Sequence, residues 1–375
     1  MGSGEHAAKI KRSRTWIVVT ICAVVVVLAA GGFVAVDHFG TNAGANPTTP
    51  PPPLTVTSVS PNGTNVDAGS TISVQFSTDL APNSPMPTLN PPVPGSWVVL
   101  SPSMLQYEAS GPLVPGASET ITVPGGSGGV VGSLGQHLAQ ATTTQFTVAP
   151  GSTLRLQQLL AELGYLPLTF TPASPVTSPA QLGNDQVGSF SWRWAYQPAS
   201  LATLWTPGTN NVITQGAVMN FENQNGLKTD GLAGPQVWTD LLADLQSGKS
   251  NAQPWDYVLV SQSHPETATV YKDGAEVYST LVNTGVPGAV TENGTWPVFA
   301  RYTVTTMSGT NPDGSHYSDP GIPWVSYFHG GDALHGFVRP GYGYPQSDGC
   351  VEMPISNAAV VFPLTPLGTL VTVQA

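Results

Sequence analysis

Two residues near the C-terminal end of the sequence could act together on a carbonyl group. Cys350 lies in the segment SDGCVEMP, and His335 lies in GGDALHGF, with fourteen residues between the two. A thiol attacks a carbonyl as its thiolate, and a histidine can take the thiol proton and later give a proton to a leaving amine. The glycine of SDGC would let the amides of Gly349 and Cys350 turn towards a developing oxyanion. This pattern predicts a nucleophile and a base for acyl transfer.

Two other interpretations of the same residues stay open at this point. Cys350 could be a structural cysteine buried beside a core histidine. A zinc site could also form from His329, Asp332, His335 and Cys350, although this set offers one sulfur ligand and matches no common structural zinc spacing. The other cysteine, Cys22, lies in a long apolar run near the N-terminus, so we expect no disulfide between the two.

The motifs around the pair resemble those of L,D-transpeptidase catalytic domains of the YkuD type. TGVPGAVTENGTWPVFARY is similar to a TG and TPxGxF pattern of that family, and GGDALHGF with SDGCVEMP is similar to its His and Cys signature. GTLVTV follows in the expected order. The resemblance implies a β-rich catalytic domain over residues 254–375 that carries out acyl transfer on peptidoglycan.

The resemblance also implies roles for individual residues. Cys350 is the expected nucleophile, His335 is the expected general base, and Gly336 occupies the position that orients the histidine. The amides of Gly349 and Cys350 are expected to hold the oxyanion, and neither a cofactor nor a metal is expected. The residues expected to contact substrate are Tyr317, Gly330, Gly331, Ser347, Asp348 and Glu352.

Two of these positions depart from the family pattern. Asp348 stands where a histidine is usual, and Glu352 stands where arginine or asparagine is usual. We expect Asp348 to disfavour the thiolate unless it points away or pairs with a protonated His335, and Glu352 to repel a substrate carboxylate. Arg339 and Arg301 are the candidates to replace the missing positive charge.

An apolar run near the N-terminus predicts a membrane anchor. Residues 15–36 carry no charge and follow the basic residues Lys9, Lys11, Arg12 and Arg14. As a helix this run would reach about 33 Å, which is enough to cross a bilayer core. The basic flank predicts a cytoplasmic tail over residues 1–14 and an extracytoplasmic remainder. A cleaved signal peptide, with AGA at 43–45 as its processing site, is the alternative.

Composition limits the classes of partner. The chain of 375 residues contains 41 Gly and 36 Pro with only 9% charged residues, which is typical of β-rich modules joined by linkers. Beyond residue 36, seven Lys or Arg stand against 21 Asp or Glu, a net charge of −14. Nothing in this balance favours phosphate contacts, so we do not expect nucleic-acid binding.

The segments before the catalytic region predict a linker and two modules in a mainly β protein. A Pro-rich linker covers residues 37–53, and short alternating strands over 54–148 resemble an Ig-like β-sandwich. Residues 152–247 resemble a small α-helical peptidoglycan-binding module, through LQQLLAELGY and AVMNFENQNGLKTDGLAG, interrupted by a Pro- and Ser-rich insertion. Those helix positions would be apolar in either case, so the module is equally a wall-binding domain or a packing platform.

For residues 254–375 the pattern predicts an antiparallel β domain with a hairpin turn at KDG. By resemblance, the function is a peptidoglycan L,D-transpeptidase that makes 3→3 cross-links. Its partners would be a donor tetrapeptide stem and the diamino acid amine of an acceptor stem, and carbapenems would inactivate it. The protein would act at the cell membrane, facing the wall. An L,D-carboxypeptidase and a catalytically silent wall-binding scaffold are the alternatives.

Overall fold

A computed structural model describes residues 50–195 and 198–375. The predicted cytoplasmic tail and membrane anchor, residues 1–36, lie outside the described residues, as does most of the predicted linker. Within the described ranges no helix has the length and apolar character needed to cross a membrane. The prediction of a mainly β protein is confirmed.

The first part of the described chain forms two four-stranded sheets around one core. In spatial order the sheets are β1-β3-β6-β5 and β2-β8-β7-β4. Ile72, Val74 and Phe76 alternate with less buried residues along β3, and Ile121 and Phe146 of the other sheet belong to the same buried cluster. The period-two pattern therefore places one face of each sheet in the interior. The strands are β1 (Val56–Ser60), β2 (Gly63–Val66), β3 (Ile72–Phe76), β4 (Thr88–Asn90), β5 (Gly95–Ser101), β6 (Met104–Ala109), β7 (Ser118–Val123) and β8 (Thr142–Val148).

A helical module follows, and its helices begin and end at capping residues. Ser152 and Asn211 accept hydrogen bonds from the amides of Arg155 and Thr214, at 2.8 and 3.0 Å, and Gly248 ends the last long helix at φ 69°. The insertion contains a β-hairpin that the sequence did not predict. The elements are α1 (Thr153–Glu162), β9 (Leu168–Pro172), β10 (Gly188–Trp192), α2 (Ala199–Ala202), α3 (Val212–Gln224) and α4 (Pro235–Ser247).

The C-terminal region contains two further sheets, ordered β13-β12-β11-β19-β14 and β15-β16-β17-β18. The predicted hairpin turn is present, with Lys272 opposite Ala275 and with Asp273 and Gly274 at φ 49° and 78°. The elements are β11 (Asp256–Ser261), β12 (Thr267–Lys272), β13 (Ala275–Leu281), β14 (Gly294–Pro297), β15 (Ala300–Thr310), β16 (His316–His329), β17 (Asp332–Gly336), β18 (Val351–Met353), α5 (Ile355–Val361) and β19 (Leu370–Gln374).

The expectation of a purely antiparallel C-terminal domain is wrong. β11 pairs with β19 in parallel, and β17 pairs with β18 in parallel. Parallel neighbours need a crossover of about a dozen residues or more, and the loop 337–350 supplies it between β17 and β18. The long separation of His335 and Cys350 in sequence is thus the length of this crossover.

The helical module packs directly on the C-terminal domain. Tyr257 and Leu370 of that domain belong to the same buried cluster as the apolar residues of α1, α3 and α4. A Cβ added to Gly216 of α3 would lie 2.6 Å from the Gly368 carbonyl oxygen, so glycine allows the helix to approach this closely. Residues 51–375 accordingly form one compact unit.

Candidate active site

A cleft of about 260 Å³ contains both Cys350 and His335. The β15–β16 hairpin contributes Tyr317 and Asp319 to its lining, and the crossover loop contributes Arg339 and Asp348. This loop lies between two paired strands, so its ends are fixed. The two residues predicted to act together therefore share one cavity.

Strand register explains why the two side chains share a face. In the β17–β18 pair, Leu334 lies opposite Val351 and His335 lies opposite Glu352. Alternate residues of a strand point to the same side, and Cys350 immediately precedes β18. Cys350, Glu352 and His335 therefore project to the same side of the sheet.

The imidazole of His335 is held in one orientation. The side chain is 3% exposed, and its Nδ1 lies 3.1 Å from the carbonyl oxygen of Gly336. With the Nδ1 hydrogen donated to that carbonyl, Nε2 is the nitrogen left to act as a base. Burial lowers the pKa of His335 below its usual 6.5, although the Gly336 contact opposes this. The histidine is therefore neutral at physiological pH.

The thiol of Cys350 is protonated in the resting protein. Burial raises the pKa of Cys350 to about 12, the Ala333 amide opposes the rise, and the charges of Asp332, Glu352 and Asp348 add to it. The residue is half-buried, and its Sγ donates a hydrogen bond of 3.7 Å to the Gly331 carbonyl. A thiol with this pKa would have to lose its proton as it attacked a carbonyl, because almost no thiolate is present at neutral pH.

The structure places Ser347 beneath the loop rather than in the cleft. Ser347 is 1% exposed, and its Oγ donates a 2.5 Å hydrogen bond to the Cys350 carbonyl. Its own amide donates to the carbonyl of Thr284 at 3.0 Å. The contact of Ser347 with substrate stays a prediction, and in the structure its side chain is occupied in holding the nucleophile loop.

Gly349 occupies a position that a larger residue could not take. Its φ is 111°, and an added Cβ would lie 2.5 Å from Asp332 Oδ1. Thr291 Oγ1 donates to the Gly349 carbonyl at 2.7 Å. Because a trans peptide directs its N–H opposite to its C=O, this bond turns the Cys350 amide away from Thr291. The oxyanion role of the Gly349 and Cys350 amides remains a prediction.

Asp348 and Glu352, the two acidic residues that depart from the family pattern, have different surroundings. Asp348 is exposed on the cleft lining and contributes to the raised pKa of Cys350. Glu352 is 5% exposed and accepts hydrogen bonds from Arg339 Nε and Nη2 at 2.7 and 2.8 Å. The expected repulsion of a substrate carboxylate by Glu352 stays a prediction, and the paired charge of Arg339 opposes such a repulsion.

The second candidate cation lies elsewhere. Arg301 stacks over the ring of Phe362 at 4.0 Å and donates to the Phe362 carbonyl at 2.6 Å. It is not among the residues that line the cleft. Arg339 is the arginine at the site, and its charge is already paired with Glu352.

The remaining predicted contacts divide between the cleft and its margin. Tyr317 lines the cleft from β16, and burial, with the charge of Cys350 next, raises its pKa. Gly330 forms the β16–β17 turn at φ 51°. Gly331 meets the site through its carbonyl, which accepts from the thiol.

A buried polar shell behind the nucleophile was not predicted from the sequence. Glu266 is 1% exposed and accepts hydrogen bonds from Thr284 N and Oγ1 at 2.7 and 2.8 Å. Thr284 in turn holds Ser347, and Asn283 pairs its backbone with Glu352. The polar NTG run after β13 was the available signal, but its acidic partner is far away in sequence. In the described ranges no cluster of His, Cys, Asp or Glu is arranged to hold a metal ion.

A protonated thiol and an oriented neutral imidazole in one cleft are compatible with the predicted nucleophile and base, whose roles remain a prediction. Residues 256–373 match the YkuD family model, the L,D-transpeptidase catalytic domain. This part of the chain is therefore similar to L,D-transpeptidase catalytic domains. The comparison with curated proteins found no match.

Solved structures of L,D-transpeptidases are similar to the chain. One from Mycobacterium smegmatis is 12% identical, over 86% of this chain and 100% of that one, with a TM-score of 0.29. L,D-transpeptidase 3 from Mycobacterium tuberculosis, in complex with a faropenem-derived adduct, is 13% identical over 85% and 98%, with a TM-score of 0.30. The catalytic domain of the E. faecium enzyme is 27% identical over 33% and 100%, with a TM-score of 0.30. Because these TM-scores are low, the assignment rests on the family match.

Proposed function

We propose that the protein is a peptidoglycan L,D-transpeptidase that forms 3→3 cross-links through a thioester on Cys350. The observation that carries this proposal is the position of His335 and Cys350 in one cleft of a YkuD domain, with the imidazole oriented by the Gly336 carbonyl. The substrates would be two peptide stems of the cell wall.

Acylation starts with attack of Cys350 Sγ on the carbonyl at the L-centre of the diamino acid in a donor tetrapeptide. The thiol proton passes to His335 Nε2 as the S–C bond forms, since the raised pKa keeps the thiol protonated until then. His335 gives this proton to the amine of D-Ala as the C–N bond breaks. A thioester on Cys350 remains.

The second half-reaction joins the stems. The neutral side-chain amine of an acceptor stem attacks the thioester and passes a proton to His335 as the N–C bond forms. His335 returns that proton to Sγ as the C–S bond breaks. The histidine starts and ends each half-reaction neutral, which agrees with the lowering of its pKa by burial.

The charges of the cleft support an amine as the acceptor. Asp319 and Asp348 are exposed on the lining, whereas Arg339 is paired with Glu352. An anionic rim raises the local concentration of a protonated amine before that amine loses its proton. Asp348, whose charge disfavours the thiolate, thereby gains a role in attracting the second substrate.

The proposal is tested by intact-mass spectrometry of the full chain after exposure to a carbapenem. We expect one covalent adduct on the wild type and none on Cys350→Ala. No adduct on the wild type, or an adduct that survives Cys350→Ala, would contradict the thioester mechanism. Analysis of muropeptide products then distinguishes the alternatives: 3→3 dimers identify a transpeptidase, trimmed tripeptides identify an L,D-carboxypeptidase, and wall binding without either product identifies a scaffold.

We also propose that residues 15–36 hold the protein in the cell membrane with its catalytic domain facing the wall. The uncharged run and its basic flank support this location. We expect the full chain to stay with membranes through an alkaline wash and a chain without residues 1–36 to be released. Release of the full chain by the wash would count against the anchor.

A further inference from the structure

A second cleft lies where the helical module meets the catalytic domain. Its volume is about 400 Å³, which falls within the roughly 300–1,000 Å³ of small-molecule sites. α3 supplies one set of lining residues, Asn220, Asn223 and Gln224. The connecting segment and the catalytic domain supply the others, chiefly Gln253, Asp256, Lys272, Pro363, Leu364 and Pro366.

This junction cleft is formed by a tight contact between the two units. An added Cβ on Gly216 would lie 2.6 Å from the Gly368 carbonyl, and one on Gly368 would lie 2.7 Å from the Asn220 amide. Backbones that touch this closely cannot slide past each other without losing the shared core. The cleft is therefore fixed before any ligand arrives, which lowers the entropic cost of binding.

Asp256 places a largely buried carboxyl group at the wall of the junction cleft. The residue is 8% exposed, and within the described part of the chain its Oδ1 has no hydrogen-bond partner. Burial raises the pKa of Asp256 to about 7, and the nearby charge of Lys272 opposes that rise. Burying a carboxyl group without hydrogen bonds costs free energy. Oδ1 itself is inaccessible, so a ligand donor would meet the part of Asp256 that lines the cleft and offset some of that cost.

The other lining groups indicate the chemistry of that ligand. The side-chain amides of Asn223, Gln224 and Gln253 are exposed and can both donate and accept hydrogen bonds. Pro363, Pro366 and Leu364 add apolar surface. A sugar ring matches this combination, because its hydroxyl and N-acetyl groups donate and accept while its C–H faces are apolar.

We propose that the junction cleft binds an N-acetylated sugar unit of a glycan strand. The site is separate from Cys350 and goes beyond the peptide chemistry of the proposed function. A stem peptide fits less well, because its carboxylates would meet the single cation Lys272 beside the acidic residues Asp256 and Asp273. The glycan would be held at the junction while the peptides react elsewhere on the domain.

The test is calorimetric titration of the full chain with tetra-N-acetylchitotetraose. We expect saturable binding that weakens about tenfold or more in Asn223→Ala and in Asp256→Leu, because each change removes hydrogen-bonding groups from the cleft. Gln236→Ala removes an exposed amide from α4, away from the lining, and should bind as the wild type does. Cys350→Ala should also bind normally, so a failed enzyme hypothesis would leave this result intact.

Three outcomes would overturn the proposal. These are no saturable binding by the wild type, unchanged affinity in both Asn223→Ala and Asp256→Leu, and saturable binding of a stem tripeptide without binding of the tetrasaccharide. Asn223 is exposed, so Asn223→Ala tests the site even if Asp256→Leu alters folding. Unfolding midpoints of all variants are measured alongside.

Discussion

Two carboxyl groups on strands of the catalytic domain are buried to a similar extent but differ in their partners. Glu352, 5% exposed at the Cys350 cleft, accepts two hydrogen bonds from Arg339 at 2.7 and 2.8 Å. Asp256, 8% exposed at the junction cleft, has an Oδ1 without a partner among the described residues. A buried carboxylate that the protein pairs with an arginine contributes to the fold as an ion, whereas an unpaired one carries the cost of its burial and is favoured in its protonated form.

The difference also separates the two clefts by function. At the Cys350 cleft Arg339 is paired with Glu352, so the unpaired charges on the lining are those of the acidic residues Asp319 and Asp348. At the junction cleft the carboxyl stands among neutral amides and one lysine. The first arrangement suits a reaction with an amine, and the second suits recognition of a neutral polar ligand.

The largest expected effect is on acylation at the Cys350 cleft, which is lined by His335, whereas among the described residues no histidine lines the junction cleft. His335→Ala should slow acylation by a carbapenem roughly 10²–10⁴-fold, because it removes the base that takes the thiol proton. Stopped-flow measurement of acylation gives the rate, and binding of tetra-N-acetylchitotetraose at the junction cleft should not change. His137→Ala, at an exposed histidine of the first module, is the control and should acylate normally.

The rate of acylation by a carbapenem should depend on pH through His335. Because burial lowers the pKa of His335 below 6.5, the neutral base is lost only when the pH falls beneath that value. We expect the wild-type acylation rate to be level near neutral pH and to fall only on the acid side of 6.5. A rate that already falls between pH 8 and pH 7 would contradict the assignment of His335 as the base.

The next largest effect tests whether the ion pair between Arg339 and Glu352 stabilises the fold. Arg339→Met should lower the free energy of unfolding by about 2–3 kcal/mol, less than a fully buried pair loses, because the Arg339 side chain is 29% exposed. Urea unfolding measures the change, and Arg339→Met with Glu352→Gln should recover most of it. Lys228→Met breaks an exposed pair and should change the free energy of unfolding far less than Arg339→Met does. An equal loss of unfolding free energy in Arg339→Met and Lys228→Met would show that the buried pair of Glu352 stabilises the fold no more than an exposed pair does.

A smaller effect tests whether Asp256 lacks a partner. A folded-state pKa of about 7 exceeds the usual 3.8, so the stability contributed at Asp256 is complete below pH 3.8 and is lost as the pH rises towards 7. From pH 5 to pH 8 the wild type should lose at most about 2–3 kcal/mol through this group, and Asp256→Asn should not.

Urea unfolding at the two pH values measures that loss, and comparison with Asp256→Asn subtracts the contribution of every other group. Asp313→Asn, at an exposed carboxylate, is the control, because the pKa of Asp313 is lowered by its hydrogen bonds to Ser315 and the group is ionised at both pH values. A pH dependence in Asp256→Asn as steep as in the wild type would show that Asp256 is satisfied in solution.

The smallest effect sharpens the account of the nucleophile loop. Ser347→Ala removes one buried hydrogen bond to the Cys350 carbonyl and should cost about 1 kcal/mol of stability. It should slow acylation without changing the affinity for a donor peptide, because Ser347 lies beneath the loop. Kinetic separation of binding and acylation checks this, with Ser356→Ala at an exposed serine as the control. Weaker peptide binding alone would restore Ser347 as a substrate contact.

Much of the local structure could be predicted because local rules govern it. The alternating residues of β3 and the KDG turn behave as the sequence pattern indicates. His335 and Cys350 could be nominated as partners because their chemistry and the surrounding motifs pointed to the same reaction. Their placement on parallel strands could not, because strand direction depends on the path of the crossover loop.

The sequence by itself determined which groups could react: one thiol outside the apolar N-terminal run, a histidine separated from it by fourteen residues, and an acidic balance along the chain. Only the tertiary structure decided which of the acids is neutralised, which serine supports the loop, and which carboxyl is left without a partner. The physical reason is that the chemistry of a residue depends on its type, and its local geometry depends on its neighbours in sequence. Desolvation and hydrogen-bond satisfaction, in contrast, are set by residues that meet only when the chain has folded.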